Sequence, residues 1–335
     1  MTPTIHFREG TVGDRDAILA LRELVFPDED REKRHADFWQ WEFVDGYAGG
    51  GRLFVAEVAD RIVGHFAFVP QHYTAGESLR GAIAVDVMTH PDFRRQKVFS
   101  RLAAFSAGRL GNEFQVITAF QIREPVMAGM QAGGWHAAQE IPILLKPLSL
   151  RGIARDFGLP FGAHANETVE DGAEESIRPI MDSDFDQIDA LLATTSIRQS
   201  RTAEVLVWRY RRNPHWSYKL EGLFEREKLG AFLIYRDTVL RGLQSLAIAD
   251  VGVAPGKDPS LKRLIKHVCR KGRRRALAVA AALISRHHPA YRAMRKSGFM
   301  PGPHRFRLLL QVFDGSLRWV SDAPWSLSWG DTDHL

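Results

Sequence analysis

The sequence predicts an α+β fold made of two lobes in tandem, and three observations lead to this prediction. The second half of the chain repeats short motifs of the first half in the same order. Within each half, stretches of alternating apolar residues typical of strands are interspersed with stretches that have helical periodicity. A segment rich in glycine, alanine and acidic residues separates the two halves. The rival prediction is a single continuous α/β domain.

The internal repeat consists of five short matches, whose offset falls slowly from 170 residues at the first match to 164 at the last. A steady order with a shrinking offset is expected after a duplication followed by small deletions in loops. The matches pair Arg8 and Asp14 with Arg178 and Asp184, 41–43 with 208–210, 62–64 with 228–230, 89–91 with 253–255, and 134–135 with 298–299. Together they predict that both lobes share one fold.

Each predicted lobe has the same order of elements. A short strand, at 4–9 and again at 176–180, precedes a helix whose apolar spacing is clearest at Ile18 and Leu21. A second helix with an aromatic cluster follows, and then two strands with alternating apolar residues. A fourth strand, 82–88 in the first lobe, leads through a turn that contains proline into a third helix at 98–110.

The remaining elements complete each lobe. They are a fifth strand at 114–120 and 276–284, a short helix, and a last strand at 138–146 and 304–313. We therefore expect every lobe to contain its own last strand. The predicted boundaries are 1–150 for the first lobe, 151–175 for the linker and 176–335 for the second lobe.

Composition narrows the class of protein. Hydrophobic residues make up 45% and charged residues 25% of the chain, the balance of an ordinary soluble globular protein. The first residues lack the pattern of a signal peptide, and no uncharged apolar run reaches the ~18 residues of a membrane span. Cys269 is the only cysteine, which excludes internal disulfides and cysteine-rich metal sites. We therefore expect a cytoplasmic protein with no membrane partner and no metal.

The net charge of +5 favours an acidic ligand. The densest basic segment, 262–275, has Leu264, Ile265 and Val268 at helical spacing, which predicts an amphipathic helix with a solvated basic face. No motif that reads nucleic acid accompanies this charge, so we do not expect a nucleic acid partner. An anionic cofactor or substrate explains the excess of basic residues equally well.

The segment HPDFRRQKVFS (90–100) has the position and charge of an anion-binding turn. It joins the predicted fourth strand to the third helix, where the first backbone N–H groups of a helix have no intrahelical acceptor. These groups and the helix dipole favour a bound anion. The turn contains no glycine, so we expect its residues to adopt ordinary helical conformation and to present their N–H groups with side chains attached.

The order of elements, the turn at 90–100 and the Gly-Trp pair before the last strand resemble those of GNAT-type N-acyltransferases. The family's turn reads Arg/Gln-x-x-Gly-x-Gly/Ala, and residues 94–99 occupy it here. Segments 208–214 (WRYRRNP) and 325–335 (WSLSWGDTDHL) are similar to a two-lobed subgroup, some members of which acylate amino sugars. The resemblance implies that each lobe has a mixed, mostly antiparallel sheet flanked by helices.

The resemblance also implies a co-substrate, acetyl-CoA or another acyl-CoA, bound by the first lobe. In the family, the turn holds the pyrophosphate on backbone N–H groups, and the pantetheine arm lies in a gap between the fourth and fifth strands. Backbone N–H groups near the end of the fourth strand polarise the thioester carbonyl. The implied residues are Val87, Met88 and Thr89 on the strand, and Arg94, Arg95, Gln96, Lys97, Val98, Phe99 and Ser100 in the turn.

Two features of the sequence bear on this expectation. Lys97 stands at the first glycine of the family turn, and Phe99 stands at the second. The equivalent turn of the second lobe contains Asp258, which repels phosphate, and Pro259, which lacks an N–H group. We therefore expect only the first lobe to bind coenzyme A.

The sequence offers three candidates for the groups that transfer protons. Many relatives use a tyrosine after the fifth strand as general acid, but no tyrosine occurs between Tyr73 and Tyr210. The candidate catalytic residues are Asp86 on the fourth strand, Glu124 after the fifth strand and His65 on the third strand. For Asp86 the alternative is a hydrogen-bonded structural carboxylate.

The predicted acceptor is a small-molecule primary amine, with a nucleotide-linked amino sugar as the leading candidate and a lysine or peptide amine as the alternative. We expect its pocket between the lobes, with Arg209, Arg212 and Asp331 as binding residues. For these residues the alternative is a purely structural or solvated role. The alternative to an enzyme is a binding or scaffold protein on a decayed acyltransferase fold. The sequence does not indicate an oligomeric state.

Overall fold

The computed structural model describes residues 4–28, 31–121, 124–159, 176–192 and 195–332. The strands of the first half are β1 (His6–Glu9), β2 (Arg52–Val58), β3 (Arg61–Thr74), β4 (Ser78–Thr89), β5 (Val116–Gln121) and β6 (His136–Pro147). Its helices are α1 (Arg15–Val25), α2 (Ala36–Phe43), α3 (Val98–Leu110), α4 (Glu124–Ala132) and α5 (Leu150–Asp156).

The second half continues the numbering. Its strands are β7 (Ile177–Pro179), β8 (Arg198–Gln199), β9 (Lys219–Glu225), β10 (Lys228–Leu240), β11 (Leu243–Val253), β12 (Val279–Leu283) and β13 (Met300–Val312). Its helices are α6 (Phe185–Leu191), α7 (Ala203–Leu206), α8 (Asp258–Arg274) and α9 (Tyr291–Lys296). Helix α7 runs directly into one π-helical turn, Val207–Arg211.

The predicted elements are present, and α3 begins and ends at the predicted residues. Helix α8 is amphipathic as expected, with Leu264, Ile265 and Val268 buried and the basic residues Lys262 and Lys266 exposed. The predicted linker, 151–175, starts inside α5, and its residues 160–175 lie outside the described part of the chain. None of the described helices is long and apolar enough to cross a lipid bilayer.

One sheet connects all thirteen described strands. Its order is β1-β2-β3-β4-β5-β13-β6-β12-β11-β10-β9-β7, and the short strand β8 pairs with β3. Only β4 with β5 and β11 with β12 pair in parallel, and the other neighbours are antiparallel. The mixed, mostly antiparallel sheet flanked by helices confirms the predicted fold class, while the predicted lobe boundaries stay predictions.

The last strand of each half belongs to the sheet of the other half. β13 pairs with β5, with Leu308 opposite Phe120, and β6 pairs with β12, with Leu144 opposite Ala282. β6 and β13 also pair with each other in the centre of the sheet. The expectation that every lobe contains its own last strand is therefore wrong. The two last strands have exchanged places, so each half of the sheet is complete only with a strand from the other.

Equivalent contacts recur in the two halves, as the repeat predicts. The guanidinium of Arg8 donates two hydrogen bonds to Asp14, both of 2.8 Å, at the start of the first half. Arg178 donates to Asp184 in the same way, at 2.8 and 3.0 Å. Each aspartate also accepts from a backbone N–H three residues earlier, so each pair fixes the turn between the first strand and the first helix.

A reciprocal tryptophan pair joins the halves at another repeated position. Trp41 of α2 and Trp208 of the π-helical turn stack with ring centroids 4.6 Å apart and planes within 13° of parallel. The indole N–H of Trp41 donates to the carbonyl of Trp208 at 2.8 Å, and the indole N–H of Trp208 donates to the carbonyl of Trp41 at 3.1 Å. The two equivalent residues, both buried, thus satisfy each other's indole N–H groups across an approximate two-fold axis.

In the second half, the chain fills the opening that forms where two parallel strands separate. β11 and β12 pair only over 245–248 and 279–282. Ser328, from the C-terminal segment, forms an isolated bridge with Ile284 just after β12. Its hydroxyl donates to Asp250 of β11 at 2.8 Å. The C-terminal segment therefore connects the two strands across the opening.

A buried ion network fixes this segment. Arg201 donates to Asp250 at 2.5 Å and to Asp331 at 2.8 Å, and no side chain of the three is more than 4% exposed. A Cβ on Gly330 would lie 2.3 Å from the Tyr210 hydroxyl, so the close approach requires glycine. Burial raises the pKa of Asp331. For Asp250, burial acts in the same direction, but the charge of Arg201 and the hydrogen bonds from Arg201 and Ser328 together hold the pKa below its ordinary value.

We expect Arg201→Leu to lower the free energy of unfolding by about 3–5 kcal/mol, because it leaves two carboxylates buried without a cation. Urea-induced unfolding at neutral pH measures the change. The control is Arg305→Leu, which breaks an ion pair with Glu140 whose side chains are 50% and 46% exposed. That variant should lose less than about 1 kcal/mol. Equal losses in the two variants would contradict a structural role for the buried network.

Candidate functional site

The strands β4 and β5 separate in the first half, and the C-terminal segment, as far as the structure describes it (to residue 332), forms no bridge between them. Their parallel pairing covers only 81–83 and 116–118. β4 then continues to Thr89 and β5 to Gln121 without pairing to each other. This separation is the gap that the family resemblance implies.

A β-bulge in β4 lies beside the opening. Asp86 and Val87 together face Phe66 of β3, because the register between the two strands shifts at this point. Asp86 has a φ of +51°, in the left-handed region that few residues other than glycine adopt. A bulge turns backbone groups out of the regular ladder. The bulge therefore includes Val87, the first residue of the segment whose N–H groups are predicted to polarise a carbonyl. The other two residues of that segment are Met88 and Thr89.

The turn that leads from β4 into α3 is left-handed at two positions. Arg95 has a φ of +64°, and Lys97, the N-cap of α3, has a φ of +59°. The expectation that these residues adopt ordinary helical conformation is wrong. The turn keeps the backbone that glycine favours while carrying long basic side chains. Each such residue costs about 1 kcal/mol or more, which the surrounding packing must offset.

Two apolar residues of α3 hold the turn in place. Val98 is buried against β3, where a Cβ on Gly64 would lie 2.8 Å from its Cγ1 atom. Phe99 is half-buried, and its ring lies close to Gly129 of α4. The exposed residues of the predicted coenzyme turn are Arg94, Arg95, Gln96, Lys97 and Ser100. Exposed residues, three of them basic, thus precede two apolar anchors at the N-terminus of α3.

Asp86, the first candidate for catalysis, forms a buried ion pair with Arg22 of α1. Burial alone raises the pKa of Asp86, but the positive charges of Arg22 and Lys33 outweigh burial and hold it below its ordinary value. A carboxylate that is stabilised in its ionised form is a weak base. This ion-paired geometry fits the alternative to catalysis, in which Asp86 is a structural carboxylate. A catalytic role for Asp86 stays a prediction.

His65, on β3, is completely buried. Its Nδ1 lies 3.1 Å from the carbonyl oxygen of Phe54, which favours the tautomer with the proton on Nδ1. Burial lowers the pKa of His65 to about 4, so the imidazole is neutral at neutral pH. Its Nε2 has no hydrogen-bond partner among the described residues. The side chain of Glu124, the third candidate, lies outside the described part of the structure.

A small cavity lies where α2, the sheet of the first half and the π-helical turn of the second half meet. Its volume is about 20 Å³, room for one or two water molecules. Nε2 of Gln71 and Nε of Arg209 line it without a hydrogen-bond partner in the described residues. The full lining is Phe38, Trp41, Glu42, Val69, Gln71, Ile83, Val85, Trp208, Arg209 and Trp216. Because Ile83 is the last β4 residue paired with β5, the cavity adjoins the opening.

The three predicted acceptor residues lie in different surroundings. Arg209 is buried, lines the cavity and donates to the carbonyl of Thr332 at 2.8 Å. Arg212 is exposed and does not line the cavity. Asp331 is held in the network with Arg201, and its other oxygen accepts from the backbone N–H of Ser328 at 2.6 Å. The structure therefore does not bring the three together, and their roles stay predictions.

Sequence reasoning missed several residues that build this region. Arg22, which neutralises Asp86, lies 64 positions away from it, and Gln71 and Glu42 carry no motif. The sequence signal for Gln71 and Glu42 is that a polar residue stands among apolar or aromatic neighbours. Gln71 follows the apolar run of β3, and Glu42 stands between Trp41 and Phe43. A polar residue within an aromatic cluster indicates a buried group that needs a partner.

Residues 6–123 match the sequence model of the acetyltransferase (GNAT) domain. A comparison with curated proteins finds no match for the chain. Among solved structures, a GCN5-related N-acetyltransferase from Anabaena variabilis has a similar fold, with a TM-score of 0.63 and 10% sequence identity. The match covers 93% of this chain and 73% of that protein.

Two further solved structures have a fold similar to that of this chain. A protein from Enterococcus faecalis described as a probable N-acyltransferase has a TM-score of 0.65 at 11% identity, over 93% of this chain and 73% of that one. The N-myristoyltransferase of Saccharomyces cerevisiae with bound myristoyl-CoA has a TM-score of 0.61 at 12% identity, over 92% of this chain and 79% of that one. Residues 6–123 thus match the GNAT acetyltransferase domain, and the whole fold is similar to that of structures described as N-acyltransferases.

Proposed function

We propose that the protein is an acyl-CoA-dependent N-acyltransferase that moves an acetyl or other short acyl group to a primary amine. The observation that carries the proposal is the exposed, left-handed turn at the N-terminus of α3, which follows β4 beside its opening to β5. The turn combines N–H donors, a helix dipole and the basic residues Arg94, Arg95 and Lys97, which suits a pyrophosphate. The myristoyl-CoA bound by the yeast enzyme of similar fold supports an acyl-CoA donor.

In this proposal the chain acts mainly by positioning. Acyl-CoA, when bound, supplies a thioester whose carbonyl carbon is attacked by the amine. The turn anchors the pyrophosphate, the opening between β4 and β5 admits an extended arm, and the bulge offers N–H donors to the carbonyl oxygen. Orientation of reactants and backbone donors at a developing oxyanion contribute much of the rate in acyl transfer. Such a site works without a tyrosine in the usual place.

The acceptor amine must lose a proton, and neither His65 nor Asp86 is a strong base, because burial lowers the pKa of His65 and the ion pair with Arg22 stabilises the Asp86 carboxylate. The imidazole of His65 is neutral at neutral pH, and its Nε2 has no partner among the described residues. The carboxylate of Asp86 is instead neutralised by Arg22. In the proposed mechanism, Asp86 is therefore a positioning residue that ties the bulge to α1.

In this proposal the acceptor binds beside the cavity between the halves, which itself has room for only one or two water molecules. Tryptophan rings form its walls, and Arg209 and Gln71 offer unpaired N–H donors that ligand oxygens would satisfy. This composition supports a hydroxyl-bearing amine, and an amino sugar is the leading candidate. A lysine or peptide amine is the alternative acceptor. A non-catalytic protein that only binds acyl-CoA is the alternative function, favoured by the ion-paired state of Asp86.

Coenzyme binding should depend on the first half only. We expect Arg94→Glu to weaken acetyl-CoA binding about tenfold or more, because it places a negative charge at the proposed phosphate site. Isothermal titration calorimetry measures the change. Lys257→Glu is the matched control at the equivalent turn of the second half, where Lys257 pairs with the exposed Glu225. Weaker binding in the control but not in Arg94→Glu would assign the coenzyme to the other half.

Transfer should require an amine. We expect free thiol to be released from acetyl-CoA when amino sugars are present, and to stay at background without an acceptor. A panel of acyl donors and amines, read by thiol release and by mass spectrometry of the product, tests this. Binding of acetyl-CoA without turnover on any amine would favour the scaffold alternative, and release without an amine would indicate hydrolysis.

The acceptor should bind against Arg209. We expect Arg209→Gln to raise the KM for the acceptor about tenfold, since one charged hydrogen bond is lost, with the Kd of acetyl-CoA unchanged. Gln71→Leu, which keeps side-chain volume, should act in the same direction. Arg212→Gln is the control, because Arg212 is exposed and lies outside the cavity lining. A raised KM in Arg212→Gln alone would move the acceptor to the surface.

A further inference from the structure

Two histidines and an aspartate meet at the outer side of the junction between the halves. One side-chain ligand atom from each of His35, Asp37 and His215 lies within 4.8 Å of the others. Nε2 of His215 is 2.8 Å from Oδ1 of Asp37. The imidazole rings of His35 and His215 stack with centroids 4.6 Å apart. The proposed acyltransferase uses none of these groups.

The three residues come from distant parts of the chain. His35 is the N-cap of α2, and Asp37 lies in the first turn of that helix. His215 is 178 positions further on, in the segment that follows the π-helical turn. The backbone N–H of His215 donates to the side chain of Asn213 at 3.1 Å, which fixes the local turn. The cluster is therefore formed by the packing of the two halves and not by a local sequence motif.

We propose that His35, Asp37 and His215 bind a divalent transition metal ion of the zinc type. Two imidazoles and one carboxylate are a ligand set that zinc and its neighbours in the first transition row prefer, while calcium and magnesium prefer oxygen ligands. Three protein ligands leave a fourth position for water or another ligand.

The observed spacing is close to what the ion needs. Ligand atoms at about 2.0–2.2 Å from a tetrahedral zinc are separated from each other by about 3.3 Å. The pair His215 Nε2 and Asp37 Oδ1, at 2.8 Å, has nearly that spacing, with a proton where the ion would be. A metal ion replaces this proton, which moves to Nδ1 of His215 or to solvent. His35 is exposed, so its ring is free to turn toward the ion.

The position of the cluster gives the ion a structural effect. Phe38 follows Asp37 by one residue and Trp216 follows His215 by one residue, and both line the cavity between the halves. Their rings touch edge to face, with centroids 5.1 Å apart. An ion bound by their neighbours would fix the distance between α2 and the second half, and thereby the width of the cavity at this wall.

The test is cobalt(II) and zinc(II) binding to the full chain without an affinity tag. We expect one cobalt ion per chain, with visible d–d absorption bands of a low-coordinate site, and displacement of cobalt by zinc. His215→Gln and His35→Gln should each weaken binding at least about tenfold. His304→Gln, which removes an exposed histidine on β13, is the control and should bind as the unaltered chain does. Circular dichroism checks that every variant is folded.

A second readout separates this site from binding to scattered histidines. An ion that binds the folded chain alone raises the midpoint of thermal unfolding as its concentration rises. We expect zinc to raise Tm in the unaltered chain and in His304→Gln, but not in His215→Gln. Absence of a d–d spectrum, or equal affinity and equal Tm shift in His215→Gln and the unaltered chain, would overturn the proposal. Neither result depends on acyl transfer.

Discussion

The exchange of the last strands is the constraint on which the rest of the structure depends. β13 stands between β5 and β6, and β6 stands between β13 and β12, so neither half has a complete sheet without the other. Each exchanged strand contributes a row of buried apolar residues, such as Leu308 and Leu310 from β13. Removing such a row from water contributes on the order of several kcal/mol. The relative position of the two halves of the sheet is therefore set by strand pairing.

Each half has an opening where two parallel strands separate, and the two openings differ in what occupies them. Both halves have parallel strands that separate after a few paired residues, and both place an aspartate at a register shift there, Asp86 and Asp250. Each aspartate has a buried arginine partner. In the second half the C-terminal segment occupies the opening and adds a second carboxylate. In the first half the opening is kept, next to a basic turn. The two halves thus differ in what lies between their parallel strands, while the rest of the arrangement is repeated.

Periodicity and repeats predicted the elements well, because they depend on local patterns of apolar residues. The bounds of α3 follow from such a pattern, while the repeat showed only that Arg8 and Asp14 correspond to Arg178 and Asp184. The strand exchange could not be predicted, since the last strands of both halves have similar apolar alternation and either would fit beside β5. The left-handed backbone at Arg95 and Lys97 could not be predicted from residue type, because arginine and lysine seldom adopt it. Pairings over long separations, such as Arg22 with Asp86, leave no local trace in the sequence.

Trp41 and Trp208, at equivalent positions of the two halves, form a reciprocal contact. Two equivalent residues that stack and exchange identical hydrogen bonds form an isologous contact, the kind that normally relates the subunits of a symmetric dimer. Exchanged terminal strands are likewise the hallmark of domain swapping between two copies. The molecule has the form of a swapped homodimer whose subunits have become one polypeptide. Within one chain two such copies can differ, and here the described part of the C-terminal segment bridges the parallel strands of the second half.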